Sequence, residues 1–404
     1  MVHASSGILG GQKRRRILAL TTIRSDYDLM SGLFRSLHAD PLVELKLFVS
    51  GAHLSPSFGS TVTYIEDDGF DILAKLETLI DSNSLVGRLK TASLLLQGSI
   101  DAVANFAPDM ILFAGDREDC LVGAMLGAYL AIPTVHFFGG DHAADGHVDN
   151  PVRHATSKLS TVHLAATEEH GERLRSLGEP DERIHVVGSV ALDRFHNFNK
   201  LSLSDLREHF DLKHGFQKFA LVIHHPITEE MNSAGGDLGR ILDVLALEGI
   251  DAFVGYPNTD PGNKELIRVI EERSQQEGFC FYRSLSRDLF MSLYTRAEFL
   301  IGNSSSGISE AAMVPMGVVN VGQRQRGRSA DRNVIFCDGA TESIHDAICR
   351  VRSASFRRSL EGMSSHYGDG NSIPRVHRLL MNLDLESLRF KREDPLAFSG
   401  MSLI

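Results

Sequence analysis

The feature that most constrains the fold is a regular alternation of short apolar runs with longer amphipathic stretches along most of the chain. This alternation is typical of βαβ units that build a parallel sheet. In the first half, strand-like runs lie at 17–22, 43–50, 110–114, 134–138 and 161–166, with helical stretches at 29–38, 85–106 and 121–131. The pattern returns in the second half, with strand-like runs at 219–223, 252–256, 299–301 and 317–321 and helical stretches at 237–247, 266–277 and 305–312.

The repeated pattern also predicts two domains. A chain of 404 residues is longer than one hydrophobic core usually supports, and a polar stretch at 195–217 separates the two repeats. We therefore predict an α/β protein whose two Rossmann-like domains, 14–195 and 215–375, face each other across a cleft. We expect residues 1–13 to be a disordered leader and 376–404 to form a C-terminal helix and tail. Ligands of such folds bind beyond the carboxyl ends of the strands, between the two domains.

Charge and cysteine content exclude several classes of function. The formal net charge of -11 argues against a nucleic-acid binder, which needs a basic face, but leaves room for an anionic small ligand. No apolar run approaches the ~20 residues that span a bilayer, so we expect no membrane partner. Cys120, Cys280, Cys337 and Cys349 form no C-x-x-C pair, which argues against zinc, thioredoxin-like chemistry and a disulfide framework. A reduced, cytoplasmic protein is expected.

Three carboxylates follow strands of the first half. Asp116, Asp141 and Asp149 all lie on loops where a predicted strand has ended. Sugar chemistry commonly uses paired carboxylates of unequal pKa, one to take a proton and one to give it. The alternatives are an ion pair of Asp116 with Arg117, and a helix cap by Asp149 for a helix at 151–159.

A Gly-Asn-Ser-Ser-Ser-Gly loop at 302–307 follows a strand of the second half and precedes a helix. Ser304, Ser305 and Ser306 supply hydroxyls and backbone N–H groups at a helix start, where an anion is favoured. The alternative is an ordinary serine N-cap.

Cationic and imidazole side chains follow the other strands of the second half. Arg324, Arg326 and Arg328 form a basic loop that could bind phosphate or simply be solvated. His225 precedes a proline at a strand end and is the histidine best placed to meet a phosphate. His154, inside a predicted helix, is as compatible with a structural role as with a functional one.

Seven short strings occur in a fixed order along the chain. They are Gly-Asp-Arg at 115–117, Gly-Gly-Asp at 139–141, Asp149 with Arg153-His154 and Lys158-Leu159, His225-Pro226 with Thr228, Pro257-Asn258 with Asp260, the serine loop at 302–307, and Arg324-Gln325 with Gly327-Arg328. Together with Tyr-Gly-Asp-Gly-Asn at 367–371, this ordered set resembles the hydrolysing UDP-N-acetylglucosamine 2-epimerase family, whose members open sialic and legionaminic acid biosynthesis. The resemblance runs from about residue 16 to residue 382.

The resemblance implies a GT-B-like fold with the active site between the domains. Asp116, Asp141 and Asp149 would surround C1 and C2 of the sugar, with Arg153 and His154 binding or supporting it. His225 and the serine loop would face the diphosphate, Arg24 would reach across from the first half, and Glu310 would bind the ribose hydroxyls. The full nucleotide and phosphate site would comprise Arg24, Arg117, His225, Asn258, Ser304, Ser305, Ser306, Glu310 and Arg324.

The implied reaction begins with removal of the C2 proton while UDP leaves C1, which gives a glycal. Water then adds at C1 and a proton returns to the other face of C2. This scheme requires no metal and no cofactor; the partner is a UDP-sugar, and we expect a homodimer or homotetramer. The nucleotide base and the substituent at C4, hydroxyl or acetamido, stay open.

Two departures from the family pattern concern the sugar pocket. Asn150 stands where many relatives carry a second acid, and the loop from Asp141 to Asp149 is slightly longer than usual. Three rival functions share the architecture: a non-hydrolysing epimerase, a glycosyltransferase, and a sensor that binds the nucleotide sugar without turnover. Gly-Gly-Asp at 139–141 and the complete set of carboxylates favour hydrolysis.

Overall fold

The computed structural model describes residues 8–9, 12–82, 84–143, 148–212, 214–227, 234–258 and 260–395. In these ranges the chain forms two fully parallel sheets, of seven and six strands. The first contains β1 Arg15–Thr21, β2 Val43–Ser50, β3 Ile72–Leu76, β4 Met110–Ala114, β5 Thr134–Phe137, β6 Val162–Ala165 and β7 Ile184–Val186. The second contains β8 Phe219–Ile223, β9 Asp251–Gly255, β10 Phe279–Tyr282, β11 Phe299–Gly302, β12 Gly317–Val321 and β13 Val334–Cys337.

Both sheets have the strand order of a Rossmann fold. The first runs β3-β2-β1-β4-β5-β6-β7 and the second β10-β9-β8-β11-β12-β13. In each sheet the order reverses beside the first strand, between β1 and β4 and between β8 and β11. Ligands of doubly wound sheets bind at this reversal, outside the carboxyl ends of the strands. The predicted α/β fold with two Rossmann-like domains is confirmed.

Helices cover both faces of each sheet, which explains why the central strands are apolar throughout. Ile17, Leu18 and Ala19 in β1 have no exposed surface, and neither have Leu221 and Val222 in β8. Strands that are buried on both faces lose the polar alternation of half-exposed strands. The helices of the described ranges are α1 Arg24–His38, α2 Val62–Asp67, α3 Leu85–Phe106, α4 Glu118–Leu130, α5 Asp149–Leu159, α6 Glu168–Ser176, α7 Leu203–His209, α8 Ala234–Leu247, α9 Asn263–Glu272, α10 Arg287–Tyr294, α11 Ser306–Ser309, α12 Thr341–Arg352, α13 Ala354–Ser359, α14 Ser372–Asn382 and α15 Leu385–Leu388.

The described C-terminal helix α14 lies against the first domain. Helix α14 packs on α1: the His377 imidazole Nε2 lies 2.8 Å from Asp40 Oδ2, and Arg15 Nη2 donates to the Leu383 carbonyl at 3.2 Å. Within the segment expected to be a disordered leader, Ile8–Leu9 pairs antiparallel with Gln12–Lys13, and the other positions of 1–13 lie outside the described residues. So do residues 396–404 of the predicted tail.

Candidate active site

The carboxyl ends of the two sheets face each other across a cavity of about 440 Å³. Side chains from both domains line it, and they include every residue predicted above for the catalytic and nucleotide sites, as well as Arg153. His154 is the predicted residue that does not line this cavity; its ring stacks on His142 with the two centroids 5.9 Å apart. The cavity is large enough for a small-molecule ligand.

Asp116 lies in the loop after β4 and accepts a hydrogen bond from Arg153 Nη2 on α5. Burial favours the neutral form of this carboxyl group, but Arg153 and Arg328 outweigh it and hold the pKa of Asp116 below its usual value. Asp116 is therefore ionised at neutral pH. The described ion pairs join Asp116 to Arg153 and Arg117 to Asp260, so Asp116 does not depend on Arg117 alone, although the charge of Arg117 also lowers the pKa of Asp116.

Asp141, after β5, is bound by cations from both domains. Arg328 Nη2 of the second domain lies 3.1 Å from Asp141 Oδ2, and Arg153 Nη2 lies 3.8 Å from the same oxygen. His170 Nε2 lies 3.5 Å from Oδ1. Burial opposes ionisation, yet Arg328 and Arg153 hold the pKa of Asp141 far below its usual value. This carboxylate stays charged at any physiological pH.

Asp149 occupies the first turn of α5 and differs from the other two carboxylates. Burial and the nearby charge of Asp116 raise its pKa, although Arg88 Nη2, at 3.3 Å from Asp149 Oδ1, acts in the opposite direction. Asp149 does not cap α5: the N-cap residue is Val148, and no side chain bonds to the free N–H groups there. The helix-cap interpretation is wrong, and Asp149 is the one of the three predicted carboxylates whose pKa is raised.

Polar contacts join the two domains across the cavity. Arg117 Nη1 lies 2.9 Å from Asp260 Oδ1, and Arg24 Nη1 donates to Ser284 Oγ at 3.0 Å. Asp260 also accepts from Asn258 Nδ2 at 2.6 Å. Arg117 and Arg24 thus extend from strand ends of the first domain to loops of the second, where the predicted nucleotide site lies.

His225 follows β8, and hydrogen bonds hold both its backbone and its ring. Its backbone N–H donates to Asn303 Oδ1 at 2.7 Å, and Asn303 Nδ2 donates back to the His225 carbonyl at 2.8 Å. The ring Nδ1 accepts the backbone N–H of Asn258 at 3.3 Å, so the proton of the neutral ring is on Nε2. Burial, aided by Arg324, lowers the pKa of His225 to about 3. The imidazole is therefore neutral and acts as a hydrogen-bond donor.

The helix that begins in the serine loop is shorter than the stretch at 305–312 that the sequence predicts. Helix α11 spans only Ser306–Ser309 before a 3₁₀ turn at Ala311–Met313, which limits the contribution of a helix dipole. The hydroxyls of Ser304 and Ser306 are buried and lie 2.9 Å apart. Ser305 is exposed to the cavity between them.

The basic loop after β12 divides into two parts. Arg324 donates to the Asn303 carbonyl at 3.0 Å and lines the cavity beside the serine loop, while Arg328 binds Asp141. Arg326 lies 5.4 Å above the ring centroid of Phe336 instead. Glu310 lines the cavity and pairs with Arg194; burial raises the pKa of Glu310.

Several cavity residues were not predicted as site residues. Three of them, Arg88, His170 and Arg194, depend on contacts between elements far apart in sequence, which a single sequence does not show. Asp260 belongs to the string at 257–260, but its ion pair with Arg117 of the other domain was not predicted. Asp26 could have been found, because it follows Arg24 in the polar cluster after β1. Its Oδ2 is buried with no hydrogen-bond partner among the described residues, and burial, reinforced by Asp119, raises its pKa well above the usual value.

Other features of the described residues bear on cofactors and compartment. Among them, no three His, Cys, Asp or Glu side chains converge as a metal-binding group, and all four cysteines are free thiols. None of the helices in these ranges has both the length and the hydrophobicity of a membrane-spanning segment.

Comparisons with known proteins agree with this arrangement. A model of the UDP-N-acetylglucosamine 2-epimerase family matches residues 35–381. A UDP-N,N'-diacetylbacillosamine 2-epimerase (hydrolyzing) of Legionella pneumophila is 32% identical over 92% of this chain and 97% of its own. A UDP-N-acetylglucosamine 2-epimerase of Neisseria meningitidis is 30% identical over 83% of this chain and 86% of its own.

Solved structures of this kind share the fold. The crystal structure of a Neisseria meningitidis UDP-GlcNAc 2-epimerase bound to UDP-GlcNAc superposes with a TM-score of 0.75 at 16% identity, covering 91% of this chain and 100% of the other. The Methanocaldococcus jannaschii enzyme in complex with UDP-GlcNAc and UDP gives a TM-score of 0.73 at 16% identity, over 91% and 99% of the two chains. The GT-B-like arrangement of the domains is thereby confirmed.

Proposed function

This chain belongs to the UDP-N-acetylglucosamine 2-epimerase family, and from that premise we propose that it is a hydrolysing 2-epimerase of a UDP-activated 2-acetamido sugar. Its products would be UDP and the free sugar with inverted C2. The observation that carries the proposal is the cavity itself. Carboxylates with opposite pKa shifts and their arginine partners lie at the strand ends of the first domain. Arg324 and neutral hydrogen-bond donors lie at the strand ends of the second.

In the proposed complex the second domain binds UDP. Arg324 and the Ser305 hydroxyl would contact the diphosphate, and His225 would donate its Nε2 proton to the bridging or leaving oxygen. Charge on the diphosphate grows as the C1–O bond breaks, so these contacts strengthen toward the transition state and lower its energy. Arg24 would reach the same phosphates from the first domain.

In the first step Asp149 takes the C2 proton. A base works best when its pKa is near the working pH, and Asp149 has the raised pKa of the three carboxylates. The C2–H electrons form the C1=C2 bond of the glycal while the C1–O electrons leave with UDP. Asp116 and Asp141 stay ionised and stabilise the positive charge that the ring carries as UDP departs. Water then adds its OH group to C1 and gives its other proton to solvent, while C2 receives a solvent proton on the opposite face. Asp149 releases the proton that it took and is ready for the next cycle.

For the sugar we propose UDP-N,N'-diacetylbacillosamine, the substrate named for the Legionella pneumophila relative, which is matched over nearly its whole length. UDP-N-acetylglucosamine is the second candidate, because the Neisseria meningitidis relative is similar to nearly the same extent. Equal amounts of both nucleotide sugars with one enzyme sample give the kcat/KM ratio directly. We expect the diacetamido sugar to be consumed first; preferential release of N-acetylmannosamine would assign the second substrate instead.

Isotope labelling distinguishes hydrolytic epimerisation from its rivals. In deuterium oxide the released sugar should carry deuterium at C2, and in ¹⁸O-water it should carry the label at C1. A non-hydrolysing epimerase would exchange C2 but keep the sugar bound to UDP. A glycosyltransferase acting as a slow hydrolase would release sugar without C2 deuterium, and a binding protein would leave the substrate unchanged.

A further inference from the structure

Asn150 connects the two segments that carry Asp141 and Asp149. Its side chain lies in the first turn of α5, is 9% exposed and lines the cavity. Oδ1 accepts the backbone N–H of Ala143 at 3.2 Å, and Nδ2 donates to the Ala143 carbonyl at 2.6 Å. The side-chain amide of Asn150 thus binds both the backbone N–H and the backbone carbonyl of Ala143, which lies two residues after Asp141.

Only an amide can form this pair of bonds at neutral pH. An ionised carboxylate accepts hydrogen bonds but donates none, so an acid at position 150 would face the Ala143 carbonyl without a proton. Two oxygens would then approach each other in a buried site, which is unfavourable. This explains why the chain can carry asparagine next to Asp149 and still hold the neighbouring segment in place.

The same segment has a second attachment to α5. Arg153 Nη1 donates to the Asp141 carbonyl at 2.8 Å, one helical turn from Asn150. Asn150 and Arg153 therefore hold the 141–143 backbone at both ends. Because a misplacement of about 1 Å in a catalytic group lowers turnover severely, this geometry has a direct chemical consequence.

We propose that Asn150 is a positioning residue that sets the separation of Asp141 from Asp149 through the Ala143 backbone. It acts through these carboxylates and does not exchange a proton itself. The inference rests on the proposed function, since turnover of the nucleotide sugar is its main readout. A sample that releases neither UDP nor sugar from either candidate substrate contradicts the proposed function; the outcomes below concern Asn150 alone.

The informative substitution is Asn150→Asp, which changes one NH₂ group to oxygen and keeps the shape. At neutral pH we expect a roughly 10-fold lower kcat. UDP affinity should stay within twofold of the unmodified protein, because Asn150 bonds to Ala143 and to none of the residues proposed to bind the nucleotide. A protonated carboxyl group both donates and accepts, as the amide does. The ratio of variant to unmodified kcat should therefore rise toward one as the pH falls.

The ratio is used because other groups near position 150 titrate in both proteins. These are Asp149, Arg153 and His154 on α5, Asp141 and His142 on the facing segment, Asp116, Arg88 and Glu118 around Asp149 and Arg153, and Arg328 beside Asp141. Titration that the substitution leaves unchanged cancels in the ratio. The charge added in Asn150→Asp would raise the pKa of Asp149, and Asn150→Leu, which adds no charge, separates that effect from the loss of the two bonds.

Two further variants complete the test. Asn150→Leu removes both bonds without adding charge, so its kcat should be low at every pH. Asn382→Asp makes the same chemical change at an exposed position of α14 and should leave both kcat and its pH dependence unchanged. Unfolding of Asn150→Asp at each pH is followed in parallel. A kcat ratio that does not vary with pH, or a loss explained wholly by the unfolded fraction, would overturn the proposal.

Discussion

The strand ends of the two domains carry different functional side chains although their sheets have the same order. In the first domain, Asp116, Asp141 and Asp149 line the cavity, and two of them depend on arginine neighbours to remain ionised. In the second domain, Arg324 faces the cavity with hydroxyl groups and the neutral His225. The same backbone framework thus presents two different walls to one ligand. We call them the acidic wall, after its three carboxylates, although arginines of the same domain lie beside them, and the cationic wall, after Arg324.

This difference matches the polarity of a nucleotide sugar as its C1–O bond breaks. In the proposed reaction positive charge develops on the sugar ring, which the three carboxylates would face, and negative charge on the diphosphate, which Arg324 would face. The walls are also linked, because Arg328 of the second domain binds Asp141 and Arg117 of the first binds Asp260. Because the proposed sugar site is on the acidic wall and the proposed nucleotide site on the cationic wall, substitutions on the first should affect mainly turnover and substitutions on the second mainly nucleotide binding.

The largest effect is expected on the acidic wall. Asp149→Asn and Asp116→Asn should each lower kcat by at least ~10²-fold, the usual scale for a positioned acid or base. UDP affinity should change little, because these carboxylates face the sugar. Turnover by UDP release and UDP affinity by calorimetry test both variants. Near-normal turnover of both would contradict the catalytic assignment and remove the proposed distinction between the walls.

The second effect is expected on the cationic wall. A charge-assisted hydrogen bond to phosphate contributes about 1.5–3 kcal/mol, so Arg324→Ala should weaken UDP binding roughly 10–100-fold. Arg324→Lys keeps the charge but loses the forked geometry, and should lie between Arg324→Ala and the unmodified protein. Ser305→Ala and His225→Ala should weaken binding less, since both side chains are neutral donors, and His225→Ala should also lower kcat.

The matched comparison is with Arg326, which belongs to the same basic loop but contacts Phe336 outside the cavity. Arg326→Ala should leave UDP affinity within twofold. If Arg324→Ala, Ser305→Ala and His225→Ala all bind UDP like the unmodified protein while remaining folded, the second domain is not the nucleotide domain.

The sequence predicted the central strands of both sheets and missed the outer ones. The runs at 43–50, 110–114, 219–223 and 317–321 have the bounds of β2, β4, β8 and β12. The unpredicted strands are the edge strands of the two sheets: β3 and β7 in the first, and β10 and β13 in the second. All five residues of β3 are at least partly exposed, and such strands need no continuous apolar run. Their signal is therefore weak in a single sequence.

The candidate site was predictable where it depends on strand ends and unpredictable where it depends on how the domains meet. Asp116, Asp141 and Asp149 could be located because parallel strands end at one edge of a sheet. Arg328 as a partner of Asp141 could not, since this contact joins the two domains. His154 follows Arg153 directly, but one residue along a helix is a rotation of about 100°, which carries His154 away from the cavity.

The smallest expected effect concerns the pH dependence of the acidic wall. If Asp149 is the base, kcat/KM is high while Asp149 is ionised and falls as the pH drops through its pKa. Burial and Asp116 raise that pKa, so the fall should begin above the ordinary aspartate value of about 3.9. Arg88 opposes the shift, and Arg88→Gln should therefore move the fall to higher pH, by up to about one pH unit. Arg88→Lys keeps a positive charge near Asp149 and should move it less. An acidic limb at the same pH in all three proteins would show that Asp149 is not the group whose ionisation limits turnover, and would leave Asp116 as the carboxylate to test next.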